Sequence, residues 1–158
     1  MPEPTSKTLS KCAECGLETP ERICMTLDGK GSKNCPTLLQ KEALEEANRE
    51  YELPETYEFA QKASMQEADC YANRNQQPYV MQPTKTRMVE IYEFADKMNY
   101  RRLGLAFCIG LAKEAAIVEK ILADRGFEVV SVLCKAGRTS KEMIGISDKD
   151  KIYRGTDE

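Results

Sequence analysis

Leu103-Gly104-Leu105-Ala106-Phe107-Cys108 and Glu128-Val129-Val130-Ser131-Val132-Leu133-Cys134 are two short apolar runs, each closed by a cysteine. Between them, Leu111 to Arg125 carries apolar residues at helical spacing and stops at Gly126, a residue suited to the left-handed turn that ends a helix. A strand, a helix and a strand in so short a stretch predict a right-handed parallel crossover unit. Neither run alternates with polar residues, so both strands are expected to be covered on both faces. The segment 100–158 therefore reads as a partial doubly wound α/β unit. Two parallel strands do not make a stable sheet, and the tail from Ala136 offers only one apolar patch, Met143 to Ile146, with no third strand. Either a protein partner or self-association completes the sheet, or the sequence is the front part of a longer protein.

Upstream of this unit, residues 36–99 read as a helical segment. Pro36 suits a first helical position, and Leu38, Leu39, Ala43, Leu44 and Ala47 recur at helical spacing among glutamates, which predicts an amphipathic helix from Pro36 to Tyr51. Pro54 opens a second helix, near Glu55 to Tyr71, whose apolar side, Phe59, Ala60, Ala63 and Ala68, is thin. Residues 73–83 carry Asn, Gln and prolines without apolar period and read as a loop. Thr84 is placed to cap a third helix, Lys85 to Asn99, with Met88, Ile91, Tyr92, Ala95 and Met98 as a core stripe. Glu42, Glu45 and Glu46 are read as a wet helix face.

The first 35 residues form the third part, a cysteine-rich loop. The chain has seven cysteines and no histidine, and four of the cysteines, Cys12, Cys15, Cys24 and Cys35, stand at C-x2-C-x8-C-x10-C among Gly16, Pro20, Gly29, Gly31 and Pro36. So polar and turn-rich a stretch buries too little apolar surface to offset its ordering entropy. A metal is the expected staple: a C-x2-C pair grips one ion from a single turn, and two distant cysteines complete four thiolate ligands for zinc or an iron–sulfur cluster. An odd number of cysteines fits a fully paired disulfide framework poorly.

A second set of sulfurs follows from the predicted sheet. Cys108 and Cys134 fall at the carboxyl ends of the two strands, the edge at which open parallel sheets bind ligands. They are expected to contribute to a second metal site, with Cys70, near the end of the second helix, as an additional ligand; the bland alternative is small buried hydrophobes ending apolar strands. Used as a dithiol pair, Cys108 and Cys134 would instead make the chain a thiol oxidoreductase.

Other chemistries find no support. There is no G-x-G-x-x-G after the first strand, and Gly104 and Gly110 lack the spacing and following lysine of a phosphate loop. Without histidine, no cysteine–histidine or serine–histidine nucleophile pair exists in the chain. The net charge of −3 is too small to imply nucleic-acid or membrane binding. The first residues lack the apolar core of a signal peptide, and no run is long enough to span a bilayer, so a cytoplasmic protein is expected.

Cys12-Ala13-Glu14-Cys15-Gly16, Asn34-Cys35-Pro36, the run Leu103 to Leu111 followed by Glu114-Ala115, and Gly126 to Lys135 resemble an uncharacterised bacterial and archaeal family of cysteine-rich proteins, a domain of unknown function labelled as metal-binding. The resemblance runs through nearly the whole chain. It implies metal binding through the cysteines, without an established reaction. It also implies longer members, which continue after a stretch similar to Arg154-Gly155-Thr156-Asp157-Glu158 into further cysteine motifs at later strand ends. The roles this leaves open are electron transfer, redox sensing and metal handling, or a zinc-stapled protein-interaction module.

Overall fold

The computed structural model describes residues 9–156, which fall into two compact units, Met1–Gln61 and Lys62–Glu158, with the boundary inside a helix. The helices are α1 (Pro36–Leu39), α2 (Lys41–Arg49), α3 (Pro54–Ala68), α4 (Arg87–Lys97) and α5 (Ala112–Asp124), and the strands are β1 (Arg102–Phe107) and β2 (Glu128–Leu133).

In the first unit the expected helix over 36–51 is divided. Gln40 leaves helical geometry (φ −124°, ψ 42°), so α1 is a single turn and α2 starts afresh. Pro36 stands at the first helical position of α1 as expected. No described residue of this unit is buried; Leu38, Leu39 and Leu44 of the apolar stripe are all exposed.

The second unit holds the core. Tyr92 and Ala95 of α4, Leu122 of α5 and Phe127 are buried, and Met88, Val89, Leu103, Val118 and Val129 pack against them. The Arg125 guanidinium lies 4.3 Å from the centre of the Tyr92 ring, closing that side by a cation–π contact. The cap of α4 is Thr86 instead of Thr84: the Thr86 side chain accepts from Val89 N. Thr84 is spent elsewhere, its N–H and hydroxyl both donating to the Cys70 carbonyl at 2.8 and 3.2 Å.

Both helices of the core end by the same device. Asn99 (φ 57°) follows α4 and Gly126 (φ 90°) follows α5, and in each case the next residue donates its amide back into the last turn, Tyr100 to Ala95 and Phe127 to Leu122. That left-handed reversal directs the chain straight into a strand. β1 and β2 then pair in parallel from Arg102↔Glu128 to Phe107↔Leu133, as the sequence predicts. An ion pair of 2.9 Å between Arg102 and Glu128 marks the first rung.

Coverage of the sheet departs from expectation. Leu103, Leu105, Phe107, Val129 and Leu133 are partly covered, whereas Val130 and Val132, on the opposite face, are 52% and 48% exposed. A run of valines marks strands fit for burial, but the helices of this unit supply one covering layer only. The tail adds short 3-10 turns at Lys141–Ile144 and Asp148–Asp150 and no strand among the described residues; Met143 and Ile144 are exposed.

Candidate metal centre

Cys12 and Cys15 belong to one tight turn. Cys12–Glu14 is a 3-10 helix whose next residue, Cys15, donates its amide to the Cys12 carbonyl at 3.2 Å. Gly16 then takes a φ of 68°, so the chain reverses directly after the second thiol. Cys24 sits in a loop whose ends, Arg22 and Lys30, are joined by an isolated parallel bridge, Lys30 N to Glu21 O (2.7 Å) and Ile23 N to Lys30 O (2.9 Å). That closure requires Gly29, because a Cβ there would fall on the Arg22–Ile23 peptide. Cys35 caps α1, and its carbonyl accepts from Leu38 N and Leu39 N at 3.2 and 3.1 Å.

These three local structures bring the four cysteines to one place. Cys12, Cys15, Cys24 and Cys35 line a single cleft of about 50 Å³, together with Arg22, Ser32, Pro36 and Thr37. Arg22 is held there by its Nε donating to the Leu17 carbonyl at 2.9 Å. Gly31 backs Cys35 so closely that a Cβ would stand 2.9 Å from Cys35 Cβ and 3.1 Å from its Sγ. The thiols share a wall without converging: among the described residues no group of three or more Cys, Asp or Glu side chains is arranged to hold a metal ion. In donor chemistry the cleft fits a thiophilic ion, since it offers four sulfurs with no carboxylate or histidine in its lining.

The other three cysteines lie in the second unit and have different surroundings. Cys70, just past α3, is 2% exposed; its S–H donates to the Gln66 carbonyl at 2.9 Å and its sulfur accepts from Gln66 Nε2 at 3.5 Å. Burial, and next the carboxylate of Glu90, push this thiol above its ordinary pKa, so it is held protonated. Cys108 and Cys134 are exposed and immediately follow the last rung of the sheet, Phe107↔Leu133. The structure thus gathers the amino-terminal four at one cleft, sets Cys108 beside Cys134 at one sheet edge, and leaves Cys70 in the interior.

Around Cys70 runs a polar network that sequence reasoning missed. Gln66, the one buried residue of α3, donates to Glu93 at 2.8 Å and accepts from Lys97; Lys85 pairs with Glu93 at 2.6 Å and Lys97 with Asp69 at 3.0 Å. The Lys85 ammonium, and after it Gln66, hold the Glu93 carboxyl below the usual carboxylate range, and Lys97 does the same for Asp69. The thin apolar side of α3 was the only sign in the sequence that its end docks by polar contacts. A larger open concavity of about 310 Å³, lined by Ser64, Glu67, Ala68, Tyr71, Arg74 and Tyr79, has no cysteine in its wall.

A family described as "Protein of unknown function (DUF1847)" matches residues 35–158. The chain belongs to this family. Uncharacterized protein MJ0455 of Methanocaldococcus jannaschii is 33% identical over 148 residues, which cover 94% of this chain and 62% of that protein. The chain thus spans less than two thirds of that relative's length. No solved structure matches it. The family match begins at Cys35, so Cys12, Cys15 and Cys24 precede it, while Cys70, Cys108 and Cys134 lie inside it. No helix among the described residues is long and apolar enough to cross a membrane.

Proposed function

We propose that this is a metal-binding protein in which Cys12, Cys15, Cys24 and Cys35 hold one tetrahedral ion, zinc, that staples the first unit. One observation carries the reading: a unit without a single buried side chain among its described residues nonetheless brings four distant thiols to one cleft. Apolar packing does not account for the order of these turns, whereas four thiolate bonds supply folding free energy directly. The spacing C-x2-C-x8-C-x10-C follows neither the closely spaced bacterial nor the plant-type cysteine run of a ferredoxin cluster, whereas a closed zinc site takes two cysteines from one turn and two from elsewhere. Zinc accepts four thiolates tetrahedrally and has no redox chemistry, so its role here is structural, in a module with exposed helices. Cys70 stays outside the ligand set, because a buried, protonated thiol bonded to a carbonyl is not a ligand in waiting.

The test is oxygen-free purification followed by elemental analysis and an absorption spectrum. A colourless protein with about one zinc per chain, lost in Cys35→Ser, supports the proposal. Stoichiometric iron and sulfide in a brown protein replaces the ion by a cluster. A metal-free preparation whose first unit is nonetheless ordered sinks the staple altogether.

A further inference from the structure

We propose that Cys108 and Cys134 are a dithiol site that exchanges with low-molecular-weight disulfides, closing into an intrachain disulfide across the carboxyl end of the sheet. The placement is fixed by the strand register. Phe107↔Leu133 is the last paired rung, and the next residue of each strand is a cysteine. Backbone pairing extends to this point, since Cys134 N donates to the Phe107 carbonyl at 2.8 Å. Neighbouring strands lie about 4.8 Å apart, which falls within the span of about 4.4–6.8 Å between Cα atoms that a disulfide bridges. Both thiols are free and exposed, so a small reagent reaches either.

Beyond Cys134 the chain turns at once: Ala136 N donates to Leu133 O, and Gly137 and Arg138 both take left-handed geometry (φ 88° and 54°). No third Cys, Asp or Glu among the described residues joins the pair in a metal-holding group. Two donors fall short of the four that a closed thiolate site takes, and a dithiol is complete by itself. The reaction balances as two displacements. One cysteine thiolate attacks a sulfur of RSSR and expels RS⁻; the second attacks the resulting mixed disulfide at the protein sulfur and expels the other RS⁻. The two protons that leave the cysteines end on the two small thiols, so one dithiol is oxidised and one disulfide is reduced.

The sequence makes the test clean, because trypsin places Cys108 alone on peptide 103–113 and Cys134 alone on peptide 126–135. The full chain is incubated with oxidised glutathione, capped with an alkylating agent, digested and weighed. The expected product is the two peptides joined with the loss of two hydrogens, recovered as free peptides after reduced glutathione is added. In Cys108→Ser, peptide 126–135 is expected to carry a lasting glutathione adduct instead. Glutathione or the alkylating group on each peptide separately, without the joined species, overturns the proposal, as does a joined species confined to disulfide-linked dimers. Metal content of the same samples reports on the amino-terminal cleft independently, so failure of one reading leaves the other standing.

Discussion

Gly31 shows how one missing methyl group sets up a ligand. Its backbone lies against Cys35 and Leu38, and an added Cβ would meet Leu38 Cδ1 at 2.6 Å and Cys35 Cβ at 2.9 Å. The leucine end can swing aside, but Cys35 Cβ can yield only by moving the backbone that opens α1. Gly31→Ala is therefore expected to displace one thiol and weaken metal binding about tenfold, the lower end of what disturbing a ligand's support costs; competition with a chromogenic chelator measures it, and unchanged affinity would place Cys35 outside the ligand set. Cys70 gives a prediction of opposite character. Its folded-state pKa is raised, so the unfolded chain releases the proton first, and the stability that the buried thiol contributes is complete below its ordinary value of 9.0 and is lost as pH rises through the folded value. Lys85, held above its ordinary 10.5 chiefly by Glu93, loses its contribution only at higher pH. Denaturation midpoints taken from pH 8 to 10 should fall in the wild type and fall less in Cys70→Ser, whose hydroxyl does not titrate there. Equal slopes would show that the thiol is not held protonated by the fold.

Among the elements, what could be read from sequence divides along physical lines. The crossover unit was legible because two uninterrupted apolar runs, a helical period and a glycine stop all point to one answer, and β1, α5 and β2 form within a residue or two of expectation. The break at Gln40 was not legible, since the apolar period runs on through it. The cap falls at Thr86 instead of the expected Thr84 because the Cys70 carbonyl, distant in sequence, claims Thr84. Coverage of β2 was misjudged for a related reason: valines at 129, 130 and 132 announce β propensity without saying which face has a neighbour. The two faces should consequently respond differently to truncation. Leu122→Ala, in the core, is expected to cost about 2–5 kcal/mol, whereas Val132→Thr, on the open face, should stay within about 0.5 kcal/mol. Urea midpoints of the two variants check this, and a Val132→Thr loss as large as that of Leu122→Ala would mean that the open face is buried in solution.

The chain as a whole joins two kinds of order. Residues 62–158 have an apolar core, capped helices and a paired sheet, so burial of Tyr92, Ala95, Leu122 and Phe127 sustains that unit. The described residues of the first unit have turns, glycines and four thiols around a cleft, with nothing buried. The cysteine spacing singles out the four residues that line this cleft, and that a metal orders them is the proposal made above. The grouping of Cys108 with Cys134 was legible once the strands were, whereas the interior position of Cys70 was not, since it depends on Gln66 and Glu90 from two different helices. If the metal is the staple of the first unit, the units respond separately to its removal. Amide hydrogen exchange with and without a strong chelator is expected to show protection lost at Cys15, Ile23, Lys30 and Cys35, whose amides close the turns of the cleft, and retained along β1, α5 and β2, where apolar packing is untouched. Loss in both units together would tie the sheet to the metal, and loss in neither would return the first unit to packing forces not visible in its exposed side chains.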